Sequence, residues 1–206
     1  MNRDELERFT LGGLSFAAYT TPDEDMRPPW EEHDGHGGVR ESRAESFTSR
    51  YQPGDKKPGE RVLWSDRGFF LLYDWQGAMK TARAEWGLSG ESRAELAAKL
   101  GRAPTKGEIA QEAVQRDFDY LRRYCAGDWY WVGVIVELLD AEGEEVEEFA
   151  SLWGIDSDSR DYCEEVARDL AADICANLEK AGTWKKGRKI MRRKTAARVE
   201  AIRLRD

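Results

Sequence analysis

Residues 130–139 form a nearly unbroken apolar run in which Trp131, Val132, Val134, Ile135 and Val136 follow one another with little polar interruption. Aromatic and β-branched side chains suit a pleated surface, and the lack of alternation predicts a strand buried on both faces over part of its length. Asp140, Ala141, Glu142 and Gly143 supply turn chemistry, with Gly143 free to adopt positive φ. Residues 146–153 then return with Val146, Phe149 and Leu152 among acids. Their phase slips once, which predicts a bulge or an edge position. After this hairpin, Tyr162, Val166, Leu170, Ile174 and Leu178 recur every four residues, with Ala167 and Ala171 widening the stripe. That spacing predicts a helix lying on the sheet, capped by Ser157 or Ser159 and stopped at Gly182. Before the hairpin, Thr105 and Glu108 form a capping box for a helix whose inner stripe is Ile109, Ala113, Val114, Phe118 and Leu121.

The expected fold class is α+β: an antiparallel sheet with helices packed mainly on one face, plus a basic C-terminal helix. Phe118, Val134, Val136, Val166, Leu170 and Ile174 are expected in one common core. Residues 11–19 read as a first strand, 47–51 as a short strand, and 62–64 with 69–73 as a strand pair turning at Asp66, Arg67 and Gly68. Asp74 caps a helix over 75–86, and 91–100 reads as an exposed, Ala-rich helix. Residues 20–44 carry Pro22, Pro28, Pro29 and three glycines with no period, so they read as a long loop.

The 206-residue length favours a single domain, here residues 1–184, followed by a tail at 185–206. A hydrophobic content of 40% with eight Trp supports a folded globule despite 35% charged residues. No apolar run reaches the ~20 residues that span a bilayer, so no membrane partner is expected. The opening residues are acidic and lack a secretory apolar core. Cys125, Cys163 and Cys175 read as buried or half-buried thiols of a reducing cytoplasm.

Charge is divided unevenly. The net formal charge is −8, yet residues 185–206 carry ten Lys/Arg against two acids, a net of +8. The other 184 residues carry a net of −16. Lys185, Lys186, Arg188, Lys189, Arg192, Arg193 and Lys194 form a run suited to a phosphate backbone, DNA or RNA, or to the acidic body of the same or a neighbouring subunit. Glu144, Glu145, Glu147, Glu148, Asp161 and Glu165 are the candidate partner-binding acids, an array that can imitate the phosphates of DNA. A homo-oligomer is compatible with this pattern.

The chain's only histidines, His33 and His36, share the long loop with Glu31, Glu32 and Asp34. No cofactor is demanded by the sequence, but His33, His36 and Glu31 are candidate ligands of a divalent metal (Zn, Mg or Mn). Glu32 and Asp34 are then the candidate catalytic carboxylates of a small metal-dependent hydrolase or nuclease. Without metal, His33 and Asp34 form a candidate acid–base pair. The competing reading is a surface loop plugged into the domain by Trp30.

Several motifs together resemble a known group of proteins. They are Pro29-Trp30-Glu31-Glu32-His33-Asp34-Gly35-His36-Gly37, Lys57-Pro58-Gly59-Glu60, Ser65-Asp66-Arg67-Gly68, Tyr73-Asp74, and Ser151-Leu152-Trp153-Gly154-Ile155-Asp156-Ser157. Across most of residues 10–178 the chain resembles a family of small proteins encoded by tailed bacteriophages and prophages. The resemblance implies a phage accessory role in the bacterial cytoplasm and assigns neither activity nor site residues. With the charge pattern, it makes the leading expectation a non-enzymatic binding protein. Its partner would be a host or phage protein of nucleic-acid metabolism, engaged as an anti-defence inhibitor of the anti-CRISPR or anti-restriction type.

Overall fold

The computed structural model describes residues 3–45 and 52–180. The strand expected at 47–51, the Gly182 stop and the seven basic residues of the tail lie outside the described residues. The α+β class holds, with antiparallel strands and packed helices. Among the described residues two sheets are present where the sequence suggests one. The chain divides into two compact units, Met26–Trp129 and a unit made of Met1–Asp25 with Tyr130–Asp206.

In the second of these, the sheet order is β1 (Asp4–Leu11), β2 (Leu14–Pro22), β6 (Trp131–Leu139) and β7 (Glu145–Asp156). Every residue of β6 is buried, as its continuous apolar run requires. Val132, Val134, Val136 and Leu138 share a core with Val166, Ala167, Ala171 and Ile174 of α5 (Arg160–Lys180), while Leu170 is partly buried against it. Tyr162, expected in the same stripe, is 51% exposed, and the next residue, Cys163, takes the buried position in the first turn of α5. The phase slip of the returning strand is real: β7 is an edge strand, and its register with β6 shifts between Val132 and Val134 and again between Glu137 and Leu139. Trp153 occupies the first shift and lies over Gly133, where a Cβ would come 2.4 Å from its ring.

The unit Met26–Trp129 holds α1 (Pro29–Glu32), β3 (Val39–Arg43), β4 (Glu60–Asp66), β5 (Phe69–Asp74), α2 (Trp75–Ala84), α3 (Gly90–Leu100) and α4 (Lys106–Ala126). Its sheet order is β3-β5-β4. The long loop of the sequence reading therefore contains a helical turn and a strand. Arg40 fixes that strand by gripping both oxygens of Glu60 at 2.7 and 2.8 Å and reaching Asp55, which also accepts from Ser42. The capping box at Thr105 and Glu108 forms as expected, and Gly127 ends α4 at φ 78°. Phe118 does not join the α5 core. It is packed with Leu63, Tyr73, Ala78, Ala82, Val114 and Leu121, because α4 lies against α2 and β4 of its own unit. α3 is less exposed than its sequence suggests, since Leu96 is buried.

Candidate functional site

The segment between α1 and β3 is anchored at both ends. Pro29 is buried at the start of α1, and the His33 amide donates back to the Pro29 carbonyl at 3.0 Å. Trp30 packs on the aromatic core edge-on to Tyr124, the plug expected for a loop of this kind. At the other end the Asp74 amide donates to Gly38 at 2.8 Å, and Val39 pairs with Tyr73 as β3 begins.

Between these anchors the chain converges on Asp117 of α4. His36 Nδ1 lies 2.6 Å from Asp117 Oδ1. The Gly37 amide and the Tyr73 hydroxyl both donate to Oδ2, at 2.9 and 2.6 Å. Asp117 sits one turn from Val114 and Leu121 and beside Phe118, so the helix that builds the core also points this carboxylate at the loop. Only 9% of the Asp117 side chain and 15% of the His36 side chain is exposed. The His36 ring stacks on Tyr120 at 5.6 Å and 8° between planes. Gly37 is required here, because a Cβ would stand 2.4 Å from the Tyr73 ring. Burial and the Asp117 carboxylate push the Tyr73 phenol well above its ordinary value, so it remains a donor.

A proton on His36 Nδ1 donates to Asp117 and leaves Nε2 as the basic atom. The dyad thus differs from the pair expected from the sequence: the carboxylate beside a histidine is Asp117, eighty-one residues away, and the histidine is His36. Asp34 is exposed. Glu32 is held by the amide and guanidinium of Arg27 at 3.2 and 2.9 Å, which keeps its carboxyl below the usual range. Glu31 and His33 are exposed, and the His33 ring centre is 6.5 Å from that of His36. Among the described residues no group of three or more His, Cys, Asp or Glu side chains is placed to hold a metal ion.

The sequence reading missed Asp117, Tyr73 and Tyr120. One signal was available: an acid placed between Val114 and Leu121, one position from Phe118, on the side of α4 that turns inward.

The acidic candidates lie on the other unit. Asp140 Oδ1 accepts the amides of Glu142 and Glu144 at 3.0 and 2.9 Å and so closes the β6–β7 turn, with Gly143 at φ 82°. Glu144, Glu145, Glu147 and Glu148 are all exposed, as are Asp161 and Glu165 on α5. Among these acids β7 exposes Phe149 (66%), Leu152 (43%) and Trp153 (43%). No helix among the described residues is long and apolar enough to cross a membrane. In comparison with known proteins, the chain matches no family model, no curated sequence and no solved structure.

Proposed function

We propose that the chain is a non-enzymatic binding protein that engages a basic, nucleic-acid-handling protein through the β7 side of its four-stranded sheet. The observation that carries this reading is the combination found on β7. An edge strand of twelve residues exposes three large apolar side chains, and four glutamates flank them from the turn onward. Exposed apolar area supplies affinity, and a row of carboxylates selects a surface built to hold phosphates. With the phage setting implied by the resemblance, the proposed partner is a host protein acting on nucleic acid, and the proposed outcome is its inhibition.

The test is affinity capture from nuclease-treated bacterial lysate with the unaltered chain and with Glu144→Lys/Glu147→Lys/Glu148→Lys. The reading expects a nucleic-acid-binding protein retained by the first, absent from the second, and released by added duplex DNA. Equal retention by both chains, or a partner indifferent to DNA, overturns it.

A second reading is favoured by one observation, the His36–Asp117 dyad with its parallel Tyr120 ring. Such a pair can act as an acid–base group, alone or beside a divalent metal held by His33, His36 and Glu31. Metal analysis of untagged protein tests the metal version: about one ion per chain, lost in His36→Ala, is its expected outcome. Background metal in both chains removes it.

A further inference from the structure

The outer side of the β6–β7 hairpin carries a second feature besides its exposed acids. Glu137 stands cross-strand from Phe149 and is only 8% exposed. Its Oε1 takes Arg3 at 2.8 Å, but its Oε2 is buried with no hydrogen-bond partner among the described residues. The Glu145 carboxylate lies beside it, accepting from Tyr19 at 3.2 Å. Burial and that neighbouring carboxylate raise the Glu137 pKa. Two adjacent carboxylates, one with an orphaned oxygen, are incompletely neutralised by a single guanidinium.

The topology brings a source of further cations to the same end of the sheet. α5 runs alongside β1: Arg160 donates to Leu6 O at 2.9 Å, Arg168 pairs with Glu7, and Cys175 Sγ approaches Leu11 O. Its last turn therefore lies by the β1–β2 turn, where Ser15 pairs with Leu139 and Leu139 with Glu145. The chain leaves α5 at Lys180, and the basic run starts at Lys185. The four intervening residues span roughly 13 Å when extended, and the ten-residue run adds about 33 Å.

We propose that residues 185–194 dock on this acidic side of the hairpin of their own chain, with Lys and Arg side chains against Glu137, Glu145 and Glu147, which alternate onto the face of Phe149. The tether places seven positive charges near these carboxylates at an effective concentration in the millimolar range. The segment thereby occupies the surface assigned above to a basic partner, and acid and tail mask one another. The contact concerns that same surface but needs no outside partner, so the two proposals fail separately.

Zero-length coupling of carboxylates to lysine amines in the full chain, at low salt and followed by peptide mapping, tests it. Mixing isotopically light and heavy chains distinguishes couplings within one chain from couplings between two. The expected products join Lys185, Lys186, Lys189 or Lys194 to Glu144, Glu145 or Glu147 within one chain, and decrease at least about fivefold in ~1 M salt, where screening is nearly complete beyond 3 Å. Glu144→Gln/Glu147→Gln/Glu148→Gln should abolish couplings to the retained Glu145 and bind a 20-nucleotide single-stranded DNA about tenfold more tightly than the unaltered chain, a typical size for coupling between sites. A control with the same change in net charge, Asp161→Asn/Glu165→Gln/Asp169→Asn, should do neither. Couplings directed to the α5 row, couplings only between chains, or equal DNA affinity of the two triple variants overturn the proposal.

Discussion

The two units solve the problem of a small core with different side chains. The unit of β1, β2, β6, β7 and α5 is packed mostly with aliphatic residues, Val132, Val134, Val136, Val166, Ala167, Ala171 and Ile174, around a single fully buried ring, Phe16. The unit of β3–β5, α2 and α4 is packed with rings, Phe118 lying 5.4 Å from Tyr73 and 5.9 Å from Trp75. The difference extends to polar groups. In the aromatic unit a buried carboxylate, Asp117, is satisfied by three donors that arrive from a loop, a strand and a glycine amide. In the aliphatic unit a buried carboxylate, Glu137, is half satisfied and faces a second acid. At the margin of the ring-built core a hydroxyl and an imidazole converge on one carboxylate, whereas in the aliphatic unit the Tyr19 hydroxyl goes to Glu145 and leaves Glu137 to Arg3.

The largest expected effects come from the two cores themselves. Phe118→Ala should cost ~3–5 kcal/mol and Ile174→Ala ~2–5 kcal/mol, since each deletes fully packed atoms. Hydrogen exchange should show each variant loosening amides in its own unit first. Both variants loosening both units to the same extent would break the division.

Next in size is the contrast between the carboxylates. Asp117→Asn should cost ~1–3 kcal/mol in chemical denaturation, because one of its two acceptor oxygens becomes an NH2 that faces a buried donor. Glu137→Gln should be neutral or stabilising, because it relieves an acid–acid contact. A loss of equal size at both positions would erase the distinction.

The pH dependence should carry opposite signs in the two units. Arg102 and Thr105 hold the Glu108 carboxyl at about 2, below its ordinary 4.5. Its stabilisation is present above pH 4.5 and is lost as pH falls toward 2. Glu137 is raised above its ordinary 4.5, so its folded form holds its proton more tightly than the unfolded chain. Stability is therefore lost as pH rises from 4.5 through the raised value, and acidification from neutrality restores it. Denaturation followed by unit-resolved exchange between pH 3 and 7 checks both signs, and Glu137→Gln should flatten the second.

The smallest effect is expected on the exposed edge. Phe149→Ser should stay within about 0.5 kcal/mol of the unaltered stability. A larger loss would mean that this ring is packed rather than presented.

Much of the architecture was legible in the sequence, because local signals and packing agreed. Trp131–Leu139 was readable from its apolar density, Lys106–Ala126 from its capping box, and the edge position of β7 from one slip of phase. β1 was missed because its charged alternation, as in Glu5, Leu6, Glu7 and Arg8, looks like a solvated terminus until β2 pairs with it. The placement of Phe118 was misread for a related reason. An inner stripe on a helix states that something covers it and leaves open which sheet does. The His36–Asp117 contact was invisible for the same cause, as eighty-one residues separate partners that only the α4 packing brings together.

The composition of β7 also bears on how this protein behaves at high concentration. A long open edge bearing Phe149, Leu152 and Trp153 is a template on which further strands can stack into cross-β fibrils. Glu144, Glu145, Glu147 and Glu148 act as gatekeepers against that assembly through like-charge repulsion between copies. Their protection is electrostatic, so it weakens in acid and in strong salt, and neutralising them together should shorten the lag of fibril growth while the native fold is still intact.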